Sequence, residues 1–253
     1  MMNYKNIKAE NRENYAIIQI ANNKNNSLDP ETLKEIVEAA YKFNKIKEIK
    51  CIGITGNSKF FSPGADINQL NKLNKKKAEK IKLFSEVDKI KKIPIPILSF
   101  IDGYAIGGGL ELALFTDFII ASDKAKFGLP EINLGLIPGM GGTQNLKKFL
   151  QNSNIKYLTM SGEIIDAEKA MKFGLISKII ESENFTLKVE EYLKNIASKP
   201  KQSLIILKRL INSNNSIEKG LKIERKEFYK LLDTDSKKTG INSFLNKTKP
   251  HFD

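Results

Sequence analysis

The sequence predicts an α/β fold, and three observations carry that expectation. Short apolar runs at residues 16–20, 50–55, 95–101 and 117–122 read as strands, and helical patterns at 30–44, 75–92 and 108–115 fall between them. Alternation of this kind calls for strands in one layer joined by crossover connections. The stretch "DPETLKEIVEAAYKF" is a well-signalled helix start, with Asp29 as N-cap, Pro30 at the first helical position and glutamates in the first turns. With 253 residues, 41% hydrophobic and 28% charged, the chain suits one large domain, or a domain with a helical appendage, and buries a sizeable core.

The opening, "MMNYKNIKAENRENYAIIQI", is polar and runs straight into the first strand. It has neither the apolar centre of a secretory leader nor an Arg-rich amphipathic one. The second strand carries the single cysteine, Cys51, in the apolar run "CIGIT", where it reads as a buried strand residue. With no intrachain disulfide possible, a cytoplasmic protein is expected, and no apolar run is long enough to span a membrane. Beyond about residue 140 the pattern becomes helical, except for "GLISKII" at 174–180. The "SKPK" at 198–201 marks a boundary between a core of residues 1–197 and a helical region of residues 198–253, which closes with "IEKGLKIERKEFYKLL" and "KKTGINSFLNK".

The net charge of +13 suggests a nucleic-acid partner but does not support one. Only Arg12, Arg209 and Arg225 among the 42 basic residues are arginine, the residue suited to base readout and bidentate phosphate contacts. No zinc spacing or aromatic RNA-binding signature accompanies the lysines. The excess charge still attracts an anionic small molecule.

Familiar catalytic signatures are mostly excluded. His251, the only histidine, is the third residue from the end, which argues against a histidine triad or an HExxH zinc site. There is no GxxxxGK[ST] and no GxSxG, so chemistry falls to carboxylates, backbone amides or bound water. Two glycine-rich loops remain, "FFSPGADI" at 60–67 and "GYAIGGGLE" at 103–111. Each follows a strand and opens a helical stretch, so each can present free N–H groups.

Either loop alone reads as a tight strand-to-helix turn. A dinucleotide site fits poorly: the glycines after Gly103 miss the GxGxxG spacing and Asp123 would have to read the ribose. Two amides from separate loops could instead grip one carbonyl oxygen as it becomes an oxyanion. Glu111, three residues after Gly108, shares its helix face, where a carboxylate can either balance the helix dipole or move a proton. The third stretch, "FGLPEINLGLIPGMGGTQ" at 127–144, sets Glu131 in another apolar segment ahead of another glycine loop. Two isolated carboxylates in apolar settings beside two such loops point to acid–base chemistry on a carbonyl compound.

On "FSPGADI", "DGYAIGGGLELALFTDFIIAS", "FGLPEINLGLIPGMGGTQ" and, more loosely, the tail "TDSKKTGINSFLNKTKP", the chain resembles the crotonase (enoyl-CoA hydratase/isomerase) superfamily over nearly its whole length. The resemblance implies a spiral of β-β-α units with a C-terminal helical trimerisation region, in a homotrimer or a hexamer. It implies Ala65 and Gly108 as the amides of an oxyanion hole and Glu111 and Glu131 as the catalytic pair. It further implies that Ala65, Asp66, Ile67, Asn68, Gly108 and Gly139 contact an acyl-CoA thioester, with Lys247 near the CoA phosphates, within its own subunit or from a neighbour. CoA is then part of the substrate; no cofactor, metal, membrane or nucleic acid is expected. The implied activity is hydration of a trans-2-enoyl-CoA. A Δ3,Δ2-enoyl-CoA isomerase and a non-catalytic RNA-binding member of the fold are the alternatives.

The chain departs from the family pattern at Asn26-Ser27-Leu28, at Asn145 after "GGTQ" and at Thr239-Gly240. None of these positions is in the implied chemistry. The depth of the acyl pocket, and with it the chain length, is not written in any motif.

Overall fold

The computed structural model describes residues 3–22, 25–81 and 84–252. In chain order its strands are β1 (Ile7–Asn11), β2 (Tyr15–Ile20), β3 (Cys51–Thr55), β4 (Phe60–Ser62), β5 (Ile97–Ile101), β6 (Tyr104–Ile106), β7 (Phe118–Ser122), β8 (Lys126–Gly128), β9 (Ile165–Asp166) and β10 (Lys178–Ile180). The helices are α1 (Pro30–Lys45), α2 (Ile67–Leu70), α3 (Lys75–Ile81), α4 (Gly108–Ala113), α5 (Gly142–Asn145), α6 (Asn152–Ser161), α7 (Ala167–Phe173), α8 (Phe185–Ala197), α9 (Lys201–Ile211), α10 (Ile217–Leu231) and α11 (Asp235–Leu245).

Two sheets result. The larger runs β1-β2-β3-β5-β7-β10, parallel except for the β1–β2 pair; the smaller runs β4-β6-β8-β9. Each of the steps β3 to β4, β5 to β6 and β7 to β8 carries the chain from the large sheet into the small one, and the path then returns for the next turn. This is the spiral of β-β-α units that the sequence motifs imply.

Burial explains why these strands form. All five residues of β5 are buried, as suits a central strand covered on both faces. On one face the core takes in Leu33, Ile36, Val37, Ala40 and Phe43 of α1, whose N-cap Asp29 accepts the Thr32 N–H at 2.7 Å. On the other face Val189, Leu193 and Ala197 of α8 cover Cys51, Leu98 and Phe100. Burial pushes the Cys51 thiol up to about 12, so it remains an unreactive thiol in the strand.

Lysine side chains fasten α9 and the chain's last residues to this core. Lys201 Nζ donates to the carbonyls of Ile46 and Lys47, and Lys208 Nζ donates to Ile95 O at 2.9 Å while pairing with Asp117 Oδ2 at 2.8 Å. Lys50 Nζ donates to the carbonyl of Phe252, bringing the chain's final stretch back to the foot of β3.

Some sequence expectations need correction. The helical pattern at 75–92 is not one helix: α3 stops at Ile81, residues 82–83 lie outside the described residues, and a 3₁₀ turn covers Val87–Lys92. The strand expected from residue 95 begins at Ile97, because Pro94 and Pro96 have no N–H to donate to a ladder. Within "GLISKII" only Lys178–Ile180 is strand; Gly174, at φ +87°, caps α7 instead. The polar opening conceals β1, in which Ile7 and Ala9 face inward and Lys8 outward. Among the described residues no helix is long and apolar enough to cross a membrane.

Candidate active site

The two glycine-rich loops meet where β4 and β6 end. These strands are neighbours in the small sheet, with Phe60 opposite Tyr104 and Ser62 opposite Ala105. Gly109 makes the junction possible: a Cβ there would stand 2.0 Å from the Ser62 carbonyl oxygen, so only glycine lets α4 start this close to β4. Gly64 lies against the next amide. At φ +88° its own Cβ position falls 2.8 Å from the Gly108 nitrogen. The Ala65 nitrogen in turn is 3.8 Å from the Cβ position of Gly108. The N–H groups of Ala65 and Gly108 therefore sit side by side, and neither donates to a protein acceptor among the described residues.

Glu111 enters from α4, its N–H bonded to the Gly107 carbonyl at 2.9 Å. The side chain is only 3% exposed, and its Oε1 accepts N–H bonds from Met140 at 2.8 Å and Gly142 at 2.7 Å. Burial is the largest influence on its titration and pushes the carboxyl up to about 7. The Gly142 amide works against that rise, the charge of Glu131 adds to it, and the Met140 and Gly139 amides oppose it further.

Glu131 stands on a 3₁₀ turn, Pro130–Leu134, closed by left-handed Gly135. Its Oε1 lies 3.2 Å from the Cβ position of Gly107, which brings it beside the glycine triplet, and its buried Oε2 has no hydrogen-bond partner among the described residues. Burial raises its pKa as well. The two carboxyls thus lie about the glycine triplet that carries the Gly108 amide, close enough for the charge of Glu131 to act on Glu111. An arrangement with one carboxyl poised near neutrality, a second raised beside it and two unclaimed N–H groups can polarise a carbonyl and move protons on the neighbouring carbons.

The remaining residues named from the sequence differ in exposure and in local bonding. Ala65, Ile67 and Asn68 are exposed at the mouth of the first loop, while the Asp66 carboxylate is engaged as N-cap of α2, accepting the Asn68 N–H at 2.8 Å. Gly139 is exposed between buried Pro138 and Met140. Lys247 is exposed just past α11, left-handed at φ +54°, with its N–H on the Phe244 carbonyl. Sequence reasoning missed the Met140 and Gly142 amides that hold Glu111. The run "PGMGG" was the available signal, since such loops present several N–H groups together.

Comparison with known proteins agrees with this frame. The profile of the enoyl-CoA hydratase/isomerase family matches residues 10–253. A Dictyostelium discoideum protein named "Probable enoyl-CoA hydratase, mitochondrial" is 36% identical over 227 residues, covering 89% of this chain and 82% of that one. The crotonyl-CoA hydratase of Syntrophomonas wolfei is 33% identical over 260 residues, 99% of each chain. The crystal structure of an enoyl-CoA hydratase from Bacillus anthracis superposes with a TM-score of 0.92 at 27% identity, covering 98% of this chain and 99% of that one. A two-sheet spiral matched from end to end in this way is a crotonase-superfamily fold. Within that superfamily, the chain belongs to the enoyl-CoA hydratase/isomerase family.

Proposed function

We propose that the chain is a trans-2-enoyl-CoA hydratase. The observation that carries this reading is the pairing of Glu111, held at Oε1 by two amides, with Glu131, whose Oε2 is buried and unclaimed. A thioester oxygen accepting from the N–H groups of Ala65 and Gly108 would draw electron density off the β-carbon. Glu111 takes a proton from water as the water oxygen bonds to the β-carbon, and Glu131 delivers a proton to the α-carbon. In the reverse direction the roles exchange. Hydration uses one basic and one acidic carboxyl at once, and a pair whose ionisations oppose each other supports that division of labour.

Ala65, Asp66, Ile67 and Asn68 form the CoA side of the site in this reading, largely through backbone groups, with Gly139 beyond the carboxyls. Lys247 serves the CoA phosphates, within its own subunit or from a neighbour. Residues 198–253 form the assembly region of a homotrimer or hexamer. Ile217 on α10 and Phe244 on α11, 85% and 84% exposed, support that role, because a solitary chain would leave both apolar side chains in water. CoA belongs to the substrate, so the reaction asks for no separate cofactor, and the reduced, buried Cys51 suits a cytoplasmic setting.

The test is to mix the protein with crotonyl-CoA and follow the enoyl-thioester absorbance. A rapid loss, with 3-hydroxybutyryl-CoA as product, is expected. A flat trace combined with conversion of a 3-enoyl-CoA to its 2-enoyl isomer would replace this reading with isomerisation.

A further inference from the structure

We propose that Phe84 closes the acyl end of this site, making the enzyme selective for short enoyl groups of the crotonyl and hexenoyl class. The inference rests on the hydratase reading and adds the substrate's length to it. With the thioester oxygen at Ala65 and Gly108 and the double bond between the carboxyls, the tail must leave past the loop that wraps Glu111. Pro138 and Met140 are buried on either side of exposed Gly139, so the way out runs over Gly139.

Phe84 stands in that path. Its ring carbons Cε2 and Cζ lie 2.9 and 3.1 Å from where a Cβ on Gly139 would be, so the ring rests directly on the bare glycine. The rest of the loop meets hydrocarbon together with two polar groups, Asn145 Nδ2 at 3.0 Å from the Cβ position of Gly141 and Glu111 Oε1 at 3.1 Å from that of Gly142. A Phe115 ring carbon lies 3.6 Å from the Cβ position of Gly141, and Leu129 Cδ1 lies 3.2 Å from that of Gly142. Phe115 and Leu129 are buried and held by the core, whereas Phe84 is 38% exposed with water on its outer side. Truncating Phe84 therefore opens the site to solvent and leaves no hole in the core. A short tail ends inside these walls; a long one meets the ring.

The experiment compares kcat/KM for crotonyl-, hexenoyl- and decenoyl-CoA in the parent, Phe84→Leu and Phe84→Ala, with circular dichroism confirming that each variant is folded. In the parent, decenoyl-CoA should fall below crotonyl-CoA by about tenfold or more, the size of discrimination a hydrocarbon wall achieves. Phe84→Ala should raise the decenoyl-to-crotonyl ratio by about tenfold, with Phe84→Leu in between. A parent that hydrates decenoyl-CoA as well as crotonyl-CoA, or a ratio that Phe84→Ala leaves unmoved, would overturn the length assignment while the hydratase reading stands. A parent inert on all three thioesters would overturn both.

Discussion

The amide of Gly142 donates to Glu111 Oε1 at 2.7 Å, although the loop that carries it belongs to a different turn of the spiral from the helix that carries Glu111. The carboxyl's orientation is therefore set by tertiary structure. Glu111→Gln keeps an oxygen able to accept both amides and removes only the titrating group. It should fold and lose hydration by about 10²–10⁴-fold, and Glu131→Gln should do the same. Because both groups act on one addition, the double variant should lose little more than the worse single one. Steady-state rates on crotonyl-CoA for the three variants decide this; losses that multiply would mean the carboxyls work independently.

The raised titration of Glu111 has a thermodynamic counterpart. Its folded pKa is about 7 against an ordinary 4.5, so between these values the folded protein holds a proton that the unfolded chain has released. The associated stability is complete below the lower value and drains away as pH rises through the upper one. Removing the charge should remove this loss. At pH 8 Glu111→Gln should be more stable than the parent by on the order of 3 kcal/mol, and at pH 4.5 the gap should nearly close. Urea midpoints of both proteins at the two pH values measure it, and an equal gap at both would show that Glu111 is not the titrating group.

Gly108 is the first residue of α4, where proline is tolerated in a helix and lacks only the N–H. Gly108→Pro should therefore fold while kcat drops by about 10²–10³-fold, the usual cost of one oxyanion donor. Gly109→Ala makes the contrast. Its added methyl would press into the Ser62 carbonyl, and the expected result is loss of folded protein rather than of turnover alone. Thermal melts alongside kcat separate the two, and a Gly108→Pro enzyme at full rate would remove that amide from the chemistry.

Lys208 reaches from α9 to Asp117 with its side chain only 13% exposed and its partner's 20%. Asp117 Oδ2 also accepts the Ile97 N–H at 2.8 Å, so the ion pair sits on the first link of β5. Lys208→Met should cost roughly 2–3 kcal/mol, below the full penalty for a stranded buried charge because both groups retain some water. Denaturant unfolding would register the loss. A change within error would mean that this ion pair adds nothing to the apolar contacts and the Lys201 hydrogen bonds that hold α9 on the core.

The parts of this protein that were legible in the sequence are those encoded by local chemistry. Asp29 and Pro30 announced α1, and the glycine loops with Glu111 and Glu131 announced the site. What escaped depends on residues far apart in the chain. Strands β4, β6 and β8 have three residues each, too few for an alternating pattern to register, and they form because neighbouring turns of the spiral pair them. The run "PGMGG" signals a cluster of amides, but nothing local tells that those of Met140 and Gly142 face Glu111, or that Phe84 lies on Gly139. The broken helix at 75–92 shows the reverse error: its composition suits a helix, but residues 75–81 bury nothing that would hold a longer one in place.

The β4–β6 pairing separates the durable from the exchangeable in this molecule. Its register fixes how far apart the Ala65 and Gly108 amides stand, and that spacing passes through the sheet rather than through the chain between the loops. Over the described residues from 67 to 86 the intervening chain contributes no buried residue at all. Such a stretch behaves as a cassette hung on an invariant frame. It can be lengthened, shortened or transplanted from a relative, and the catalytic geometry need not be renegotiated. Since Phe84 rides on it, substrate range can drift or be engineered one surface segment at a time while the reaction itself stays constant.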